Sequence, residues 1–242
     1  MASIREYSNW NKRQSNSKKQ IDPYRRYYFI CEGQNTERWY FEKLIDIKKS
    51  LSIHSNLEVI DLEKTGKRIH VSHPKRLIEC ADAQRKDKTI IFDPKHDKMI
   101  VIFDADIFEV QNKNKNKNKN NNYDQILKIG KKNNILGVTN PSFELFLLLH
   151  YKNSINEIIT PNAKNIIKNG WIGRRRYIVD VFQKKSKMHP KKNSAIGELA
   201  NDVLIAIEQE KKLNTDIDTC KGVITSNIGM IIQSIIDEQG ND

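Results

Sequence analysis

Apolar residues in the first two thirds of the chain follow two patterns, short apolar or alternating runs and runs with helical spacing. The first pattern predicts strands over residues 27–31, 56–63, 98–104 and 134–140. The second predicts helices that begin at Thr36 and that cover residues 74–87, 123–132 and 141–151. Strands that alternate with helices favour an α/β fold, with a mostly parallel, Rossmann-like sheet flanked by helices.

The pattern changes in the last third of the chain, where basic residues become frequent. Residues 164–192 hold ten Lys and Arg residues and a single acid. Two further helices are predicted over roughly 194–213 and 226–238. We therefore expect residues 153–242 to form a basic, helical C-terminal appendage that packs on the sheet domain.

Two polar segments adjoin or interrupt the predicted sheet domain, which covers residues 27–152. Residues 1–26 are rich in Ser, Asn and Lys without periodicity, so we expect a flexible basic arm. Residues 107–122 contain an Asn and Lys tract that cannot form a packed core, so we expect a disordered loop. This loop begins directly after Asp104 and Asp106, at the carboxyl end of a strand, where parallel α/β sheets bind ligands.

The 242-residue chain has a formal net charge of +12 and a pI near 9.5. This charge favours a polyanionic partner. A Lys- and Asn-rich composition also arises from an AT-rich genome, so only clustered charge counts as evidence. Three widely spaced cysteines without metal-ligand spacing fit a reducing cytoplasm. No apolar run approaches the ~18 residues of a membrane span, so we expect neither a membrane segment nor export.

Acidic residues follow two of the predicted strands at the point where each strand ends. Glu32 follows the first strand, and Asp104 and Asp106 lie at the end of the third. The carboxyl ends of parallel strands meet at one edge of a sheet, and Glu37, one helical turn beyond Glu32, should reach the same place. Like charges so close repel unless a cation lies between them, and carboxylate oxygens suit Mg²⁺ or Mn²⁺. The sequence therefore indicates a divalent-metal site.

Each acid also has a simpler interpretation. Glu32 could merely end a strand, and Glu37 could stabilise the positive end of its helix. An Asp-x-Asp motif by itself also occurs in phosphatases that use the first Asp as a nucleophile and in sugar-nucleotide transferases. The ordered combination of a strand-ending Glu-Gly and a strand-ending Asp-x-Asp is more specific than either part.

Three segments resemble a known family: FICEGQNTERWYFEKL (29–44), IVIFDADIF (100–108) and TNPSFELFLLLHY (139–151). They are similar to the blocks of RloB/AbiLii-type proteins, which are phage-resistance effectors with a Toprim catalytic domain. Toprim is the metal-binding fold of topoisomerases, primases and the overcoming-lysogenization-defect nucleases. The resemblance covers roughly residues 27–151 and is weaker elsewhere.

The resemblance implies a Mg²⁺- or Mn²⁺-dependent Toprim nuclease that acts in anti-phage abortive infection. It implies that Glu32, Asp104 and Asp106 are catalytic metal ligands and that Glu37 joins them. It also implies control by a partner, an ABC-type or AAA-like ATPase that senses infection. RNA such as tRNA is the preferred substrate, and DNA is the alternative.

Two further positions lie where the last predicted strand meets its helix. Asn140 is predicted to cap that helix, with Pro141 in the first turn. Glu144, also in the first turn, is interpreted either as a structural partner of a basic residue or as a residue that binds or supports the metal.

The basic segment is the best candidate for a nucleic-acid track. Its cations would hold phosphates while Trp171, Tyr177 and Phe182 stack on unpaired bases, unless these aromatic residues belong to the core. The same cluster could dock an acidic face of the ATPase. The predicted contacts are Arg174, Arg175, Arg176, Lys184, Lys185, Lys187, Lys191 and Lys192.

Three functions therefore compete. A metal-dependent RNA nuclease is the leading hypothesis. A phosphatase with Asp104 as nucleophile is disfavoured because the bulky Ile107 and Phe108 follow the motif in place of a small Thr or Gly continuation. The third is a non-catalytic subunit that binds nucleic acid or docks the ATPase, with structural carboxylates. The sequence leaves self-association into a homo-oligomer open.

Overall fold

The computed structural model describes residues 25–33, 35–60, 73–87, 90–105 and 123–238. Most of the predicted arm over residues 1–26, the predicted loop over 107–122 and the whole of Asp106 lie outside this part. The described part contains a five-stranded sheet, a separate two-stranded hairpin, and apolar layers on both faces of the sheet.

The large sheet is mostly parallel, which confirms the predicted α/β, Rossmann-like class. The strands are β1 (Arg26–Cys31), β2 (Asn56–Val59), β3 (Lys98–Asp104), β4 (Ile135–Asn140), β5 (Trp171–Ile172), β6 (Arg175–Arg176) and β7 (Thr225–Ser226). The order across the large sheet is β2-β1-β3-β4-β7. β1 to β4 pair in parallel, whereas β7 pairs antiparallel to β4. β5 and β6 form the hairpin.

Helices cover the sheet and fill the C-terminal part. The α-helices are α1 (Thr36–Asp46), α2 (Pro74–Gln84), α3 (Tyr123–Gly130), α4 (Glu144–Leu148), α5 (Ala163–Lys168), α6 (Tyr177–Ser186), α7 (Val203–Glu210) and α8 (Ile228–Asp237). Short 3₁₀-helices cover Lys48–Leu51, Ser194–Asp202 and Ile217–Thr219, and a π-helix covers Ile155–Ile159. Among the described residues, none of the helices has both the length and the apolar character that crossing a membrane requires.

β3 explains why its sequence is a continuous apolar run. Successive side chains of a strand point to opposite faces of the sheet. Ile100 and Ile102 therefore join the apolar layer on one face, while Val101 and Phe103 join the layer on the other. A central strand covered on both faces cannot alternate with polar residues without burying them.

The C-terminal residues share the larger of these two apolar layers with the sheet. Phe182 of α6 and Ile207 of α7 lie in the same buried cluster as Phe29 of β1 and Phe146 of α4. β7 also extends the sheet beyond β4. The basic C-terminal segment is therefore held close to the strand ends by apolar burial.

Asn140 does not cap the helix that follows it, so that prediction is wrong. Asn140 is the last residue of β4, it precedes a cis peptide bond to Pro141, and α4 begins only at Glu144. The Asn140 side-chain amide instead donates to the carbonyl oxygens of Cys220 (2.7 Å) and Val223 (2.8 Å). The residue therefore ties the end of β4 to the loop before β7, a long-range contact that a local pattern does not reveal.

A buried carboxylate connects α7 to α8. Glu210 accepts hydrogen bonds from the Ser226 hydroxyl (2.5 Å) and from the Met230 backbone N–H (2.7 Å), in the first turn of α8. Burial raises the pKa of Glu210, and these hydrogen bonds oppose that effect. The carboxylate thus satisfies an amide that the start of a helix leaves without a partner.

We predict that Glu210→Ala lowers the free energy of unfolding by about 1–3 kcal/mol, because it leaves buried donors without an acceptor. Urea denaturation measures the change. Glu208→Ala is the matched control on the same helix, since the Glu208 carboxylate is exposed and pairs with Lys211 at the surface; it should have little effect. Equal losses in the two variants would contradict this role for Glu210.

Candidate functional site

The carboxyl ends of β1 and β3 bring Glu32 and Asp104 together. The two strands are parallel neighbours, and the Glu32 N–H extends their pairing by donating to the Ile102 carbonyl oxygen (3.0 Å). The Glu32 side chain then reaches across to β3, where Oε2 accepts a hydrogen bond from the Asp104 backbone N–H (3.2 Å). Acidic residues more than seventy positions apart in the chain therefore lie side by side at one edge of the sheet.

β4 holds Asp104 from the other side. Asp104 lies opposite Thr139 in the β3–β4 register, and the Thr139 hydroxyl donates to Asp104 Oδ1 (2.9 Å). The Thr139 carbonyl oxygen also accepts a hydrogen bond from the Ala105 N–H (2.8 Å). Because Thr139 is fully buried, its hydroxyl depends on this partner, and the contact fixes the orientation of the Asp104 carboxylate.

Glu37, in the first turn of α1, packs its carboxylate against the backbone of Gly33. A Cβ atom at residue 33 would lie 1.9 Å from Glu37 Oε2, so a side chain at this position would displace the carboxylate from where it lies. Burial raises the pKa of Glu37 to about 7; the charge of Glu144 adds to the rise, while backbone N–H donors and Lys191 oppose it. In the absence of metal, Glu37 therefore titrates near neutral pH.

Glu144 approaches Glu37 from the connection after β4. It is buried in the first turn of α4, and the Ser142 hydroxyl donates to its Oε2 (2.6 Å). Its effect on the pKa of Glu37 puts the two carboxylates within electrostatic reach of each other. Glu37 and Glu144 thus form a second acidic pair, at the starts of two helices that follow parallel strands.

A loop after α6 returns the basic segment to these acids. The Thr36 hydroxyl donates to the Pro190 carbonyl oxygen (2.8 Å), and the Asn35 side-chain amide donates to the Lys191 carbonyl oxygen (3.0 Å). Both bonds dock the loop on the start of α1. The Lys191 charge lowers the pKa of Glu37, so a cation lies within electrostatic reach of the buried carboxylates.

The other predicted nucleic-acid contacts occupy separate parts of the basic segment. Asp180, the acid of this segment, pairs with Arg175 (3.7 Å) and with Lys184 (2.8 Å). Lys185 lies over the Tyr151 ring, 5.4 Å from its centroid. By position, Arg174, Arg175 and Arg176 belong to the β5–β6 hairpin, Lys184, Lys185 and Lys187 to the end of α6, and Lys191 and Lys192 to the docked loop.

The family comparison covers the strands, the acids and the basic segment together. The family model described as RloB-like protein matches residues 27–235, which is most of the chain. The chain belongs to the RloB-like family. No curated protein and no solved structure matches it significantly. Membership of the RloB-like family suggests a defence-related role. The match extends well beyond residues 29–151, which contain the three resembling segments.

The described part of this RloB-like protein contains no group of three or more His, Cys, Asp or Glu side chains arranged to hold a metal ion. It contains two acidic pairs, Glu32 with Asp104 and Glu37 with Glu144. Asp106, the remaining acid predicted to bind the metal, lies outside the described residues.

The residues that position the acids were not predicted from the sequence. Thr139 is a polar residue in an apolar strand, and that interruption is the one local signal of its role. The sequence predicts that a helix begins at Thr36, but it does not reveal that the Thr36 hydroxyl donates to the Pro190 carbonyl oxygen, 154 positions away. Such contacts follow from tertiary packing and carry no local motif.

The raised pKa of Glu37 predicts a dependence of stability on pH. Because the folded state favours the protonated acid, the Glu37 contribution is fully present below its ordinary pKa of about 4.5 and is lost as the pH rises through about 7. Glu37→Gln stays uncharged, so in metal-free buffer its stability relative to wild type should increase by up to about 3 kcal/mol between pH 4 and pH 8.

Urea denaturation in EDTA across this pH range measures the difference. Glu42→Gln, an exposed acid on the same helix, is the matched control and should keep the pH profile of wild type. A Glu37→Gln profile parallel to that of wild type would show that the carboxylate is not held in a costly buried state.

Proposed function

We propose that this protein is a metal-dependent nuclease of the Toprim type that cleaves RNA, such as tRNA, in an anti-phage defence system. One observation carries the proposal: the Glu32 carboxylate contacts the Asp104 backbone at the ends of adjacent parallel strands. Ligand sites of parallel α/β sheets lie at this edge. Membership of the RloB-like family supports the same reading.

The acids fit a hard divalent cation. Mg²⁺ is usually bound through one or two protein carboxylates, with waters and substrate phosphate in the remaining positions. The Glu32 and Asp104 carboxylates are enough for such an ion. Glu37 is a third ligand in this proposal, because a cation would favour the charged form of an acid that burial now disfavours. Asp106, two residues beyond Asp104, completes the proposed set.

The chain's own residues supply the remaining chemistry. A bound metal would activate water and stabilise charge on the scissile phosphate. Glu32 is the proposed general base or acid, held in place by the Asp104 N–H. Thr139 orients Asp104, and Glu144, on the helix after β4, is a further carboxylate within electrostatic reach of Glu37 that would bind or support the metal. Lys191 is suited to bind a phosphate oxygen beside the acids.

The basic segment supports a polyanionic substrate. The loop that carries Lys191 and Lys192 is anchored directly beside the acids, and α6 connects it to the arginines of the hairpin. A phosphate chain bound along this segment would therefore pass the carboxylates. In the proposed system an ABC-type or AAA-like ATPase controls access to this surface.

A non-catalytic subunit that binds nucleic acid or docks the ATPase is the second candidate. It is favoured by the hydrogen bonds of the described acids, since Glu32 accepts from the Asp104 backbone N–H and Glu144 accepts from the Ser142 hydroxyl. Under this alternative the acidic pairs only hold strands and helices together. Calorimetric titration with Mn²⁺ separates the candidates, because Glu32→Gln should weaken binding in a nuclease and change nothing in a structural site.

We predict that Asp104→Ala abolishes Mg²⁺-dependent RNA cleavage and the toxicity of induced expression, because it removes a ligand from the metal. Sequencing of RNA ends after induction measures cleavage and identifies the substrate. Asp202→Asn, an exposed acid on the same protein, is the control and should cleave like wild type. An Asp104→Ala variant that remains active and toxic would refute the nuclease proposal.

We predict a further difference between two adjacent lysines. Lys191→Ala should lower the cleavage rate about 10- to 100-fold, because it removes a charge beside the reacting phosphate. Lys192→Ala, the neighbouring exposed lysine, should lower it only a few-fold through weaker binding. Single-turnover kinetics at saturating protein separate the two effects, and equal rates in the two variants would remove Lys191 from the site.

A further inference from the structure

The β5–β6 hairpin projects an exposed aromatic residue from a rigid base. Trp171 has 64% of its surface exposed and Ile172 has 42%, which is unusual for large apolar side chains. Gly173, with a φ of +59°, allows the tight turn between the strands. The exposure is local, because Tyr177 in the same basic segment is half-buried and Phe182 is fully buried in the core.

Asn169 fixes the base of the hairpin. It is itself buried, its side-chain oxygen accepts a hydrogen bond from the Ile178 N–H (3.1 Å), and its carbonyl oxygen accepts one from the Arg176 guanidinium (3.2 Å). The Tyr177 N–H also donates to the Gly170 carbonyl oxygen (2.9 Å). These hydrogen bonds hold the hairpin that presents Trp171, so its ring is exposed on an ordered segment of the chain.

The surroundings of Trp171 suit a flat, anionic ligand. The Arg176 guanidinium lies over the indole ring, 4.6 Å from its centroid. The ring still keeps most of its surface exposed, which leaves room for a second flat group to stack on it. Arg174 lies in the turn and Arg175 follows it. Asp180, the acid of the basic segment, pairs with Arg175 and Lys184, so the cations around the turn outnumber this acid.

We propose that this hairpin is a stacking platform for an unpaired base of RNA, with Trp171 as the stacking surface and the neighbouring arginines as phosphate contacts. Aromatic side chains stack on bases that are splayed out of a helix, which A-form duplexes do not offer. The choice of RNA rests on the proposed function. α6, ten residues long, separates the platform from the loop beside the acids by about 15 Å.

The test is binding of the full-length protein to labelled single-stranded RNA and to duplex RNA in EDTA, followed by fluorescence anisotropy. Trp171→Ala should raise the Kd for single-stranded RNA about tenfold and should change the Kd for duplex RNA less than about twofold. Trp171→Phe should restore most of the affinity, because a phenyl ring still stacks. Leu204→Ala, at an apolar residue that is 53% exposed on α7, is the matched control and should bind like wild type.

An unchanged Kd for single-stranded RNA in Trp171→Ala, or an equal loss for both RNAs, would overturn the proposal. Intact RNA binding together with lost self-association or lost ATPase binding would also overturn it, because the hairpin would then be a protein contact. The assay needs no cleavage. A protein that lacks nuclease activity but loses single-strand affinity in Trp171→Ala would refute the proposed nuclease and leave the platform standing.

Discussion

The parallel pairing of β1, β3 and β4 is the constraint on which the candidate site depends. Parallel strands end at the same edge of the sheet, so the residues that follow them are brought together whatever their separation in the chain. Hydrogen bonds continue past the strand ends, from Glu32 to Ile102 and from Ala105 to Thr139, and keep the register through the acidic positions. A slip of one residue in either pair would turn Glu32 or Asp104 to the opposite face.

This concentration of acids has an electrostatic consequence. Burial and mutual repulsion disfavour the charged form of Glu37, and backbone N–H donors and Lys191 only partly offset both effects. Gly33 allows this position of the carboxylate, which occupies the space that a Cβ atom would take. The arrangement is costly for a merely structural cluster, and a cation would ease it, which is the physical support for the proposed metal site.

The fold class and the four parallel strands could be predicted because both depend on local patterns, whereas the two-residue strands β5, β6 and β7 were not predicted. The run over 98–104 matched β3 in full, and the alternation of strands with helices gave the parallel sheet. The segment over 194–213 was harder: it begins with tight 3₁₀ turns, where Gly197 lies so close to α1 that a Cβ atom would be 2.7 Å from the Trp39 carbonyl oxygen. The acids themselves were visible in the sequence. Their supports, such as Thr139, were not, since those contacts join distant segments.

The C-terminal part contributes a strand to the sheet and a basic loop beside the acidic residues. A domain boundary after residue 152 would place Glu37 and Lys191 in different domains, although the Lys191 charge acts on Glu37. It would also divide the sheet between the paired strands β4 and β7. Because the loop after α6 is bonded to Asn35 and Thr36 at the start of α1, a ligand bound at the hairpin and a ligand bound at the acids would contact two ends of one ordered helix. Recognition and chemistry would then share a single rigid support, so the distance between the bound base and the reacting phosphate would be set by the fold.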